Sequence, residues 1–217
     1  MFIWKSADYK AALRLRLLLP TFSNHNALAA PILCPCKAPD DPLAIDLSLD
    51  RFHCLDCAKN RALHVSRHNG VRDALVHFLK RFCRDGGGVT PEVAVPGTDG
   101  RADIMARSNV GIISYVDAAV VNPSAPTYMA ASSPLFEHYK TLKRAKYAGL
   151  QEAHGRFVPF IVSATGQLDD EAMQFIGSFL GPANSTLHFL RSSCYSEINV
   201  IVAQHNAAMQ LTSVRRA

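Results

Sequence analysis

The fold of this chain is decided by two segments, Arg101-Ala-Asp-Ile104 and Tyr115-Val-Asp-Ala-Ala-Val-Val121. Both are rich in residues that favour β-strands, and the polar pair Ser108-Asn109 between them predicts a turn. Each segment carries one acid, and thirteen residues separate Asp103 from Asp117. A carboxylate is disfavoured in a strand and costly to bury without a partner. Two such acids at the spacing of a hairpin suggest carboxylates that converge on a divalent cation.

A second interpretation of the two acids needs no metal ion. Asp103 would then pair with Arg101 or another nearby arginine, and Asp117 would cap the end of a strand. Glu92, on an earlier strand, also has two interpretations: a third acid at the Mg²⁺ or Mn²⁺ ion, or an exposed glutamate at a strand edge. This stretch alone does not choose between them, so the rest of the chain has to decide.

The composition is that of one main domain with a small appendage, because 217 residues that are 48% hydrophobic can bury a sizeable core. No apolar run reaches the roughly 18–20 residues of a membrane span. The start of the chain has neither an apolar signal core nor a cleavage site, so an intracellular location is expected. A net charge of +5 and a pI near 9.0 suit an anionic partner such as nucleic acid.

Four of the six cysteines lie between positions 34 and 57 in a proline-rich stretch, which favours a metal cluster over a disulfide framework. A loop with no core of its own needs a cross-link, and a tetrahedral zinc site supplies one. The ligand set that closes the whole loop, which we prefer, is Cys34, Cys36, His53 and Cys57. A second possible set is Cys54, Cys57, His64 and His68. Reduced structural cysteines without a metal ion are the third interpretation.

The order of predicted elements is helix, three strands, helix, strand, helix and a last helical segment. The first of these helices carries an apolar stripe at helical spacing and a cap near Asn69. A further helix over residues 7–19 is either the end of an upstream domain or an ordinary amphipathic helix. The predicted bounds are helix 67–83, strands 90–95, 102–107 and 111–121, helix 130–150, strand 157–164, and a helix from 169 or 170 to 180.

This order is that of the α-β-β-β-α-β core of restriction-endonuclease-like nucleases, with Asp103 on the second strand and Asp117 on the third. The predicted fold class is therefore α/β (α+β), with a small zinc-binding loop region and flanking helices. Such an enzyme needs two carboxylates to hold Mg²⁺ and a lysine to orient the attacking water and offset charge in the transition state. The usual lysine position, two residues after the second acid, is occupied by Ala119.

A substitute lysine is available on the helix that follows the third strand. Phe136, Tyr139, Lys143 and Lys146 fall at i, i+3, i+7 and i+10, so both lysines share a side of that helix with apolar residues. A lysine at the edge of a buried face is well placed to reach an active site, with Lys143 as the first candidate and Lys146 as the second. In the alternative, the lysine stem packs on the core and the amine stays in water.

A resemblance follows from the order of the short motifs, which are Cys34-x-Cys36, His53-x-x-x-Cys57, Arg67-His-Asn69, Arg101-x-Asp103, Asp117 and Lys143-x-x-Lys146-Tyr147. In order and spacing they resemble the carboxyl-terminal part of non-LTR retrotransposon polyproteins. That part comprises the zinc knuckle and the restriction-like endonuclease domain that follow the reverse transcriptase in site-specific elements. The helix that often precedes the knuckle in such proteins is similar to Leu13–Pro20.

The resemblance implies an amino-terminal helix (1–30), a zinc knuckle (31–66), an endonuclease core (67–182) and a helical tail (183–217). It implies Mg²⁺ or Mn²⁺ at Asp103 and Asp117, a displaced catalytic lysine at Lys143 or Lys146, and structural Zn²⁺ at the preferred cysteine set. The implied partners are DNA and element RNA within a nuclear reverse transcriptase polyprotein, with no membrane. The residues expected to contact nucleic acid are Arg67, Arg101, Lys140, Arg144 and Arg156.

Two positions depart from the family pattern. Ala102 replaces the usual proline, which shapes the start of the strand but carries no chemistry. Ser163 stands in the Val-x-x-Thr-Gly strand where many relatives carry Glu, and activity would be lost here if that Glu assists the site. No Tyr-x-Asp-Asp motif is present, so the chain by itself does not reverse transcribe.

The first functional hypothesis is a metal-dependent DNA endonuclease domain that nicks target DNA to expose a primer end for reverse transcription. The second is a catalytically inactive, zinc-containing nucleic-acid-binding remnant of such an element. The third is a free-standing zinc protein that mediates protein contacts. Metal-stimulated nicking separates the first from the second, and affinity for DNA at low salt separates both from the third.

Overall fold

A four-stranded mixed sheet and the helices around it form an α/β architecture. The computed structural model describes residues 11–14, 32–38, 40–47, 49–50, 52–82, 88–125, 134–180 and 185–215. The elements are helix α1, Arg61–Lys80; strands β1, Val89–Ala94, β2, Arg101–Arg107, and β3, Ile113–Val121; helix α2, Leu135–Lys146; strand β4, Arg156–Ser163; and helices α3, Asp170–Leu180, and α4, Ser185–Arg215. Short 3-10 helices occupy His53–Leu55, Ala58–Asn60 and Glu152–His154. The predicted order of elements is confirmed.

The sheet has the order β1-β2-β3-β4. Strands β1, β2 and β3 are antiparallel neighbours, whereas β3 and β4 run parallel. A parallel pair needs a crossover connection, and α2 lies within the connection from β3 to β4. The mixed sheet is therefore a direct consequence of where the helix falls in the chain.

The main core lies between the sheet and helices α1, α3 and α4. Ile104, Val116 and Phe160 come from adjacent strands and are fully buried against Leu75 of α1 and Ile176 of α3. Side chains of a strand alternate between its faces, so Met105 of β2 and Tyr115 of β3 point the other way, into a smaller apolar cluster with Tyr147. The apolar stripe predicted on α1 is confirmed by the burial of Val71, Ala74, Leu75, Phe78 and Leu79 and by the packing of Phe82 beside them.

Helix α1 begins at Arg61, well before the predicted start at residue 67, and Asn69 lies in its interior rather than at a cap. The reason is tertiary packing, because α1 runs along α4 and gains stability there that the local sequence does not reveal. A Cβ at Gly70 would lie 2.8 Å from Cγ2 of Ile201, so glycine inside α1 allows the two helices to approach. The domain boundary predicted after residue 66 therefore falls inside a continuous helix.

Helix α2 ends at Lys146, four residues before the predicted end at 150. The chain turns there because Gly149 meets the β1–β2 turn, where a Cβ at 149 would lie 2.2 Å from the carbonyl oxygen of Gly97. The predicted start at residues 130–133 lies outside the described residues. Of the predicted helix 7–19, residues 11–14 are described and are helical, and Ala11 and Ala12 pack against Ala207 of α4.

The described residues form the helices α1 to α4, three short 3-10 helices and the helical segment 11–14. None of them combines the length and the apolar composition that crossing a bilayer requires.

Candidate functional site

The two predicted acids come together at the point where β2 and β3 separate. The ladder between these strands runs from Arg107↔Ile113 to Ile104↔Val116. Continuing the same register by one residue would set Asp103 opposite Asp117. Instead of another ladder bond, the amide of Ala118 donates to Oδ2 of Asp103 at 2.6 Å. The side chain of Asp103 thus takes over a backbone hydrogen bond of β3 and ties the two acidic positions together.

The second oxygen of Asp103 is held by a residue of α1. Oδ1 lies 3.1 Å from Nε2 of His68. The pKa of Asp103 is lowered: burial by itself raises it, but the hydrogen bond and charge of His68 and the hydrogen bond from the Ala118 amide more than offset that effect. The carboxylate form is therefore favoured at neutral pH. The alternative pairing with Arg101 is not observed, since that guanidinium donates to the carbonyl oxygen of Glu92 at 2.7 Å.

Asp117 is buried and receives two lysines from one helix. Lys143 Nζ donates to Oδ1 at 2.8 Å and to the carbonyl oxygen of Ala118 at 3.2 Å. Lys146 Nζ lies 3.4 Å from Oδ2. Side chains three residues apart share a helix face, so both lysines approach the same carboxylate. The sequence prediction that these two lysines lie beside the acids is matched by the geometry, and the last turn of α2 also favours positive charge.

Tyr147, the residue after α2, forms the floor of this site. Its ring is buried against Phe157, with centroids 4.4 Å apart, and its hydroxyl donates to the carbonyl oxygen of Arg101 at 2.5 Å. Burial, and then the negative charge of Asp117, raise the pKa of Tyr147, so the phenol stays protonated. Lys146 Nζ lies 4.7 Å from the centre of the ring. We name the assembly of Asp103, Asp117, Lys143, Lys146, His68 and Tyr147 the acid–lysine cluster.

Sequence reasoning missed two members of the acid–lysine cluster. The sequence assigns His68 to the second zinc set and to the Arg67-His-Asn69 motif and not to the acids, although its position three residues before Val71 in the apolar stripe places it beside the core-facing side of α1. Tyr147 appeared only as part of the Lys143-x-x-Lys146-Tyr147 motif. The signal in each case was a polar or aromatic residue at the edge of a buried helix face, which is common in helices without any such site.

The other predicted metal ligand, Glu92, lies on β1 between two ladder pairs, Pro91↔Ile104 and Val93↔Ala102, and so faces Asp103 along the sheet. Its backbone has a φ of 55°, which interrupts the ladder at that residue. Its carboxylate accepts a hydrogen bond from Arg72 of α1 and is about half exposed. Glu92 is therefore a neighbour of the acid–lysine cluster whose charge is already paired.

The five residues predicted to contact nucleic acid have different surroundings. Arg67 is 3% exposed and donates to Oδ1 of Asn206 at 2.8 Å, so this side chain is a packing element between α1 and α4 and does not face an external ligand. Lys140 is also buried and pairs with Glu137 and Asp169. The prediction for these two residues does not match their burial. The reason is that the local sequence shows that these residues are charged but does not show whether their side chains face solvent or the protein interior.

The remaining predicted contacts lie at the surface. Arg144 is exposed and forms an ion pair with Glu171 at 2.5 Å. Arg156 is exposed and donates to hydroxyls of Ser114 and Ser178, each at 3.1 Å. Arg101 is exposed on β2 next to the acids. Exposed guanidinium groups are available to anionic ligands, so these three keep the predicted role as candidates.

Ser163, the departure from the family pattern, lies away from the acids. It pairs with Val121 in the parallel ladder, whereas Asp117 pairs with Pro159 four residues earlier on β4. The Ser163 hydroxyl is 2.8 Å from that of Thr165 and accepts from the amide of Gln167 at 2.9 Å. This serine therefore closes the turn after β4 and has no place in the acid–lysine cluster.

The preferred cysteine set assembles as a separate cluster. One donor atom from each of Cys34, Cys36, His53 and Cys57 lies within 4.8 Å of the others, and among the described residues this is the one such group of three or more. Cys34 Sγ is 3.6 Å from Cys57 Sγ, and Cys36 Sγ is 3.3 Å from His53 Nε2. These four residues can hold a metal ion, and we name them the Cys/His cluster.

Local hydrogen bonds explain how an irregular loop brings these ligands together. The amide of Cys34 donates to the carbonyl oxygen of Ile45 and that of Leu47 to Ile32, each at 2.8 Å, which folds the proline-rich segment back on itself. Asp50 Oδ1 accepts from the amide of His53 at 2.9 Å and so starts the short helix that carries this ligand. The donors are presented by turns and a short helix, and a small apolar cluster with Ile32, Ile45 and Leu47 packs beside the cysteines.

The second zinc set is not assembled. Cys54 is buried with Leu55 and Met209 in a separate apolar cluster, and His68 belongs to the acid–lysine cluster. The Cys/His cluster has three sulfur donors and one imidazole, which is the chemistry that Zn²⁺ accepts in tetrahedral sites. Burial raises the pKa of Cys34 to about 12, so a metal ion that binds there has to displace its proton.

The chain matches no protein-family model, and the comparison with curated proteins gives no significant match.

Proposed function

We propose that this protein is a metal-dependent DNA endonuclease with a restriction-endonuclease-like core. The observation that carries the proposal is the acid–lysine cluster, in which Asp103 and Asp117 meet at the end of a β2–β3 ladder beside two lysines of the next helix. The element order α-β-β-β-α-β around it supports the same class. The sequence motifs lead to the same expectation, and the contacts among these residues support it.

Asp103 and Asp117 would hold Mg²⁺ or Mn²⁺, because carboxylate oxygens are the donors that these hard cations prefer. The donor set fits, since both carboxylates are largely buried, close to each other and favoured in the ionised form at Asp103. The cation would supply Lewis-acid polarisation of the phosphate and a bound water of lowered pKa. His68 and the Ala118 amide would keep Asp103 in one orientation.

The chemistry is hydrolysis of a phosphodiester. Water adds to phosphorus, the bond from phosphorus to the 3′ oxygen breaks, and a proton of that water ends on the leaving 3′ oxygen. The products are a 5′-phosphate and a 3′-hydroxyl, which is the end a polymerase can extend. A lysine ammonium beside the acids would offset the charge that builds on the phosphate oxygens.

The Cys/His cluster would hold structural Zn²⁺ and act as a zinc knuckle beside the nuclease core, within a retroelement protein of the nucleus that primes reverse transcription on target DNA. Two hydrogen bonds support a shared scaffold. Nδ2 of Asn122, which follows β3, donates to Oδ2 of Asp56 at 2.6 Å, and Asn60 Nδ2 donates to Ser213 Oγ at 2.9 Å. The loop of the Cys/His cluster is thus tied to β3, which carries Asp117, and to α4.

The test is nicking of a supercoiled plasmid with Mg²⁺, with Mn²⁺ and with chelator. We expect metal-stimulated conversion to the open circle by the wild-type chain, and a loss of at least about a hundredfold in Asp103→Asn and Asp117→Asn. Asp73→Asn is the matched control, since Asp73 is an exposed acid of α1 that pairs with Arg72. Equal activity in all four chains, or none in the wild type, would contradict the proposal.

A second candidate is a nucleic-acid-binding protein without nuclease activity. It is favoured by one observation: the acids are already paired with two lysines and a histidine, so the charges balance without a cation. A gel-shift measurement beside the nicking reaction separates the two candidates. DNA binding that persists while no metal stimulates nicking would support this second candidate.

A further inference from the structure

We propose that Lys146 and Lys143 have different tasks: Lys146 occupies the cation's place at Asp117 and leaves when a divalent cation binds, whereas Lys143 stays and positions the carboxylate. This inference rests on the proposed function. It assigns the substrate-facing lysine to Lys146, the reverse of the order expected from the sequence.

The two lysines contact the carboxylate of Asp117 at different distances. Lys143 makes an N–H···O contact of 2.8 Å and a second one of 3.2 Å to the Ala118 carbonyl oxygen, both within the usual range for such bonds. Lys146 makes a single contact to the carboxylate at 3.4 Å, beyond that range. Displacing Lys146 therefore breaks fewer and weaker hydrogen bonds than displacing Lys143.

The solvent exposure of the two lysine side chains also indicates that Lys146 is the one displaced. The side chain of Lys143 is 21% exposed, whereas that of Lys146 is 50% exposed. An ammonium that leaves a carboxylate has to be hydrated, and a half-exposed side chain reaches water by rotating its own stem. Lys143 would have to leave a largely enclosed position next to the backbone of β3, so it is the better anchor for Asp117.

Charge explains why one of the two has to leave. The two carboxylates carry two negative charges and the two ammonium groups carry two positive ones, so these four groups balance each other before His68 is counted. A divalent cation at Asp117 would bring two further positive charges to within a few ångströms of both lysines, and like charges at that distance repel. The cation and the more weakly held ammonium therefore compete for Oδ2.

Tyr147 determines where the displaced ammonium goes. Its ring is fixed by burial and by the hydroxyl bond to Arg101, and Lys146 already lies over the ring at 4.7 Å. An ammonium is attracted to the face of an aromatic ring, so Lys146 keeps a place beside the acids after it leaves Asp117. From there it can reach a phosphate oxygen or the attacking water, which makes it the catalytic residue and leaves Lys143 a positioning residue.

The experiment measures Mn²⁺ affinity and plasmid nicking in parallel. We expect Lys146→Met to bind Mn²⁺ roughly five- to tenfold more tightly than wild type, because a competing cation is gone, yet to nick least of all the lysine variants. Lys143→Met should bind Mn²⁺ no more tightly than wild type. Lys146→Arg keeps the charge and should keep wild-type affinity. Arg144→Met is the matched control for Mn²⁺ affinity alone, because it removes a positive charge from the same helical turn, where the guanidinium pairs with Glu171 and not with Asp117.

A direct readout of the displacement is the ¹⁵Nζ resonance of each lysine during Mg²⁺ titration. The Lys146 resonance should move toward that of a solvated ammonium, and the Lys143 resonance should hold. Equal Mn²⁺ affinity in wild type and Lys146→Met, or tighter binding in Lys143→Met alone, would overturn the division of tasks while leaving the proposed nuclease intact. A wild-type chain that neither binds Mn²⁺ nor nicks DNA would instead overturn the proposed function.

Discussion

The Cys/His cluster and the acid–lysine cluster are built in opposite ways. The first takes its four ligands from one irregular loop, between residues 34 and 57, with turns and few apolar contacts to support them. The second takes its residues from α1, β2, β3 and α2, which the main core holds in place. The Cys/His cluster therefore cross-links the loop that carries it, whereas the acid–lysine cluster is held in place by the packing of the surrounding helices and strands.

The difference in construction predicts a difference in dependence on metal. Three thiols and an imidazole have no internal counter-charge, so the loop gains its cross-link when an ion binds. The two acids are already balanced by lysines and a histidine, so their geometry is stable without an ion. Each experiment below either breaks this contrast or makes it sharper.

The largest effect is expected from Cys57→Ala, which removes a ligand of the Cys/His cluster. The variant should lose its zinc, and the loop should lose the stabilisation that metal binding gives, which is about 10 kcal/mol or more in small zinc domains. Zinc content by mass spectrometry under native conditions and the melting temperature measure the two losses. Cys54→Ala is the control, because Cys54 is a near neighbour in sequence but lies in another cluster.

The same variant also tests the separation of the two regions. Circular dichroism of the helices and the sheet should change little, because the main core does not include the Cys/His cluster. Complete unfolding of Cys57→Ala would show that the two regions are one cooperative unit.

An intermediate effect is expected from Asp117→Ala in chelator. The buried carboxylate is lost and Lys143 keeps only the carbonyl oxygen of Ala118 as an acceptor, which should lower the free energy of unfolding by about 1–3 kcal/mol. Urea denaturation gives the value. Addition of Mg²⁺ should stabilise the wild type and not the variant. No destabilisation of Asp117→Ala would mean that the acid–lysine cluster contributes nothing to the fold, contrary to the contrast drawn above.

A smaller effect is expected from His68→Leu, which removes the partner of Asp103 Oδ1. The variant should fold, keep its zinc and lose roughly tenfold in nicking, because one hydrogen bond no longer orients the acid. His68→Gln, which can place a donor near the position of Nε2, should recover part of that loss. Equal activity of His68→Leu and the wild type would remove His68 from the acid–lysine cluster as a functional residue.

The smallest expected effect is a pH dependence of the stability that comes from His205, which lies where α1 packs on α4. Burial, with the nearby charge of Arg67, lowers the pKa of His205 in the folded chain below its ordinary value near 6.5. A lowered histidine pKa means that the unfolded chain takes up the proton first. The stability is therefore complete above about pH 6.5 and is lost as the pH falls from there through the folded pKa.

The measurement is the melting temperature between pH 7.5 and pH 5 in a Cys57→Ala background, so that release of metal does not contribute. His205→Gln should flatten the dependence. An unchanged slope would assign the acid sensitivity to other groups, among which His64 also has a pKa lowered by burial.

Much of the fold could be read from local pattern. The segment around Asp103 alternates as a strand does, and the segment around Asp117 is a run of residues that favour strands. The stripe from Val71 to Phe82 has the period of a helix. The start of α1 could not be predicted in this way. The sequence at Asn69-Gly70 signals a helix boundary, but contact with α4, more than a hundred residues later, overrides it.

For the candidate sites as well, features set by local sequence could be predicted and features set by tertiary packing could not. The spacing of Cys34, Cys36, His53 and Cys57 predicted a cluster that the geometry assembles, because its ligands are close in sequence. The environment of Arg67 was not predictable, since a basic residue on a helix looks the same whether it faces solvent or a buried asparagine. Burial of a charged side chain depends on which element packs over it.

By itself the sequence determined the order of helices and strands, favoured the four residues that assemble as the Cys/His cluster, and showed two acids with a lysine helix after them. These are local properties, set by side-chain type and period. The tertiary structure alone decided that His68 joins Asp103, that Lys143 and Lys146 share Asp117 unequally, and that Tyr147 lies beneath them. Those contacts depend on how α1 and α2 pack around β2 and β3, and packing is a property of the whole chain.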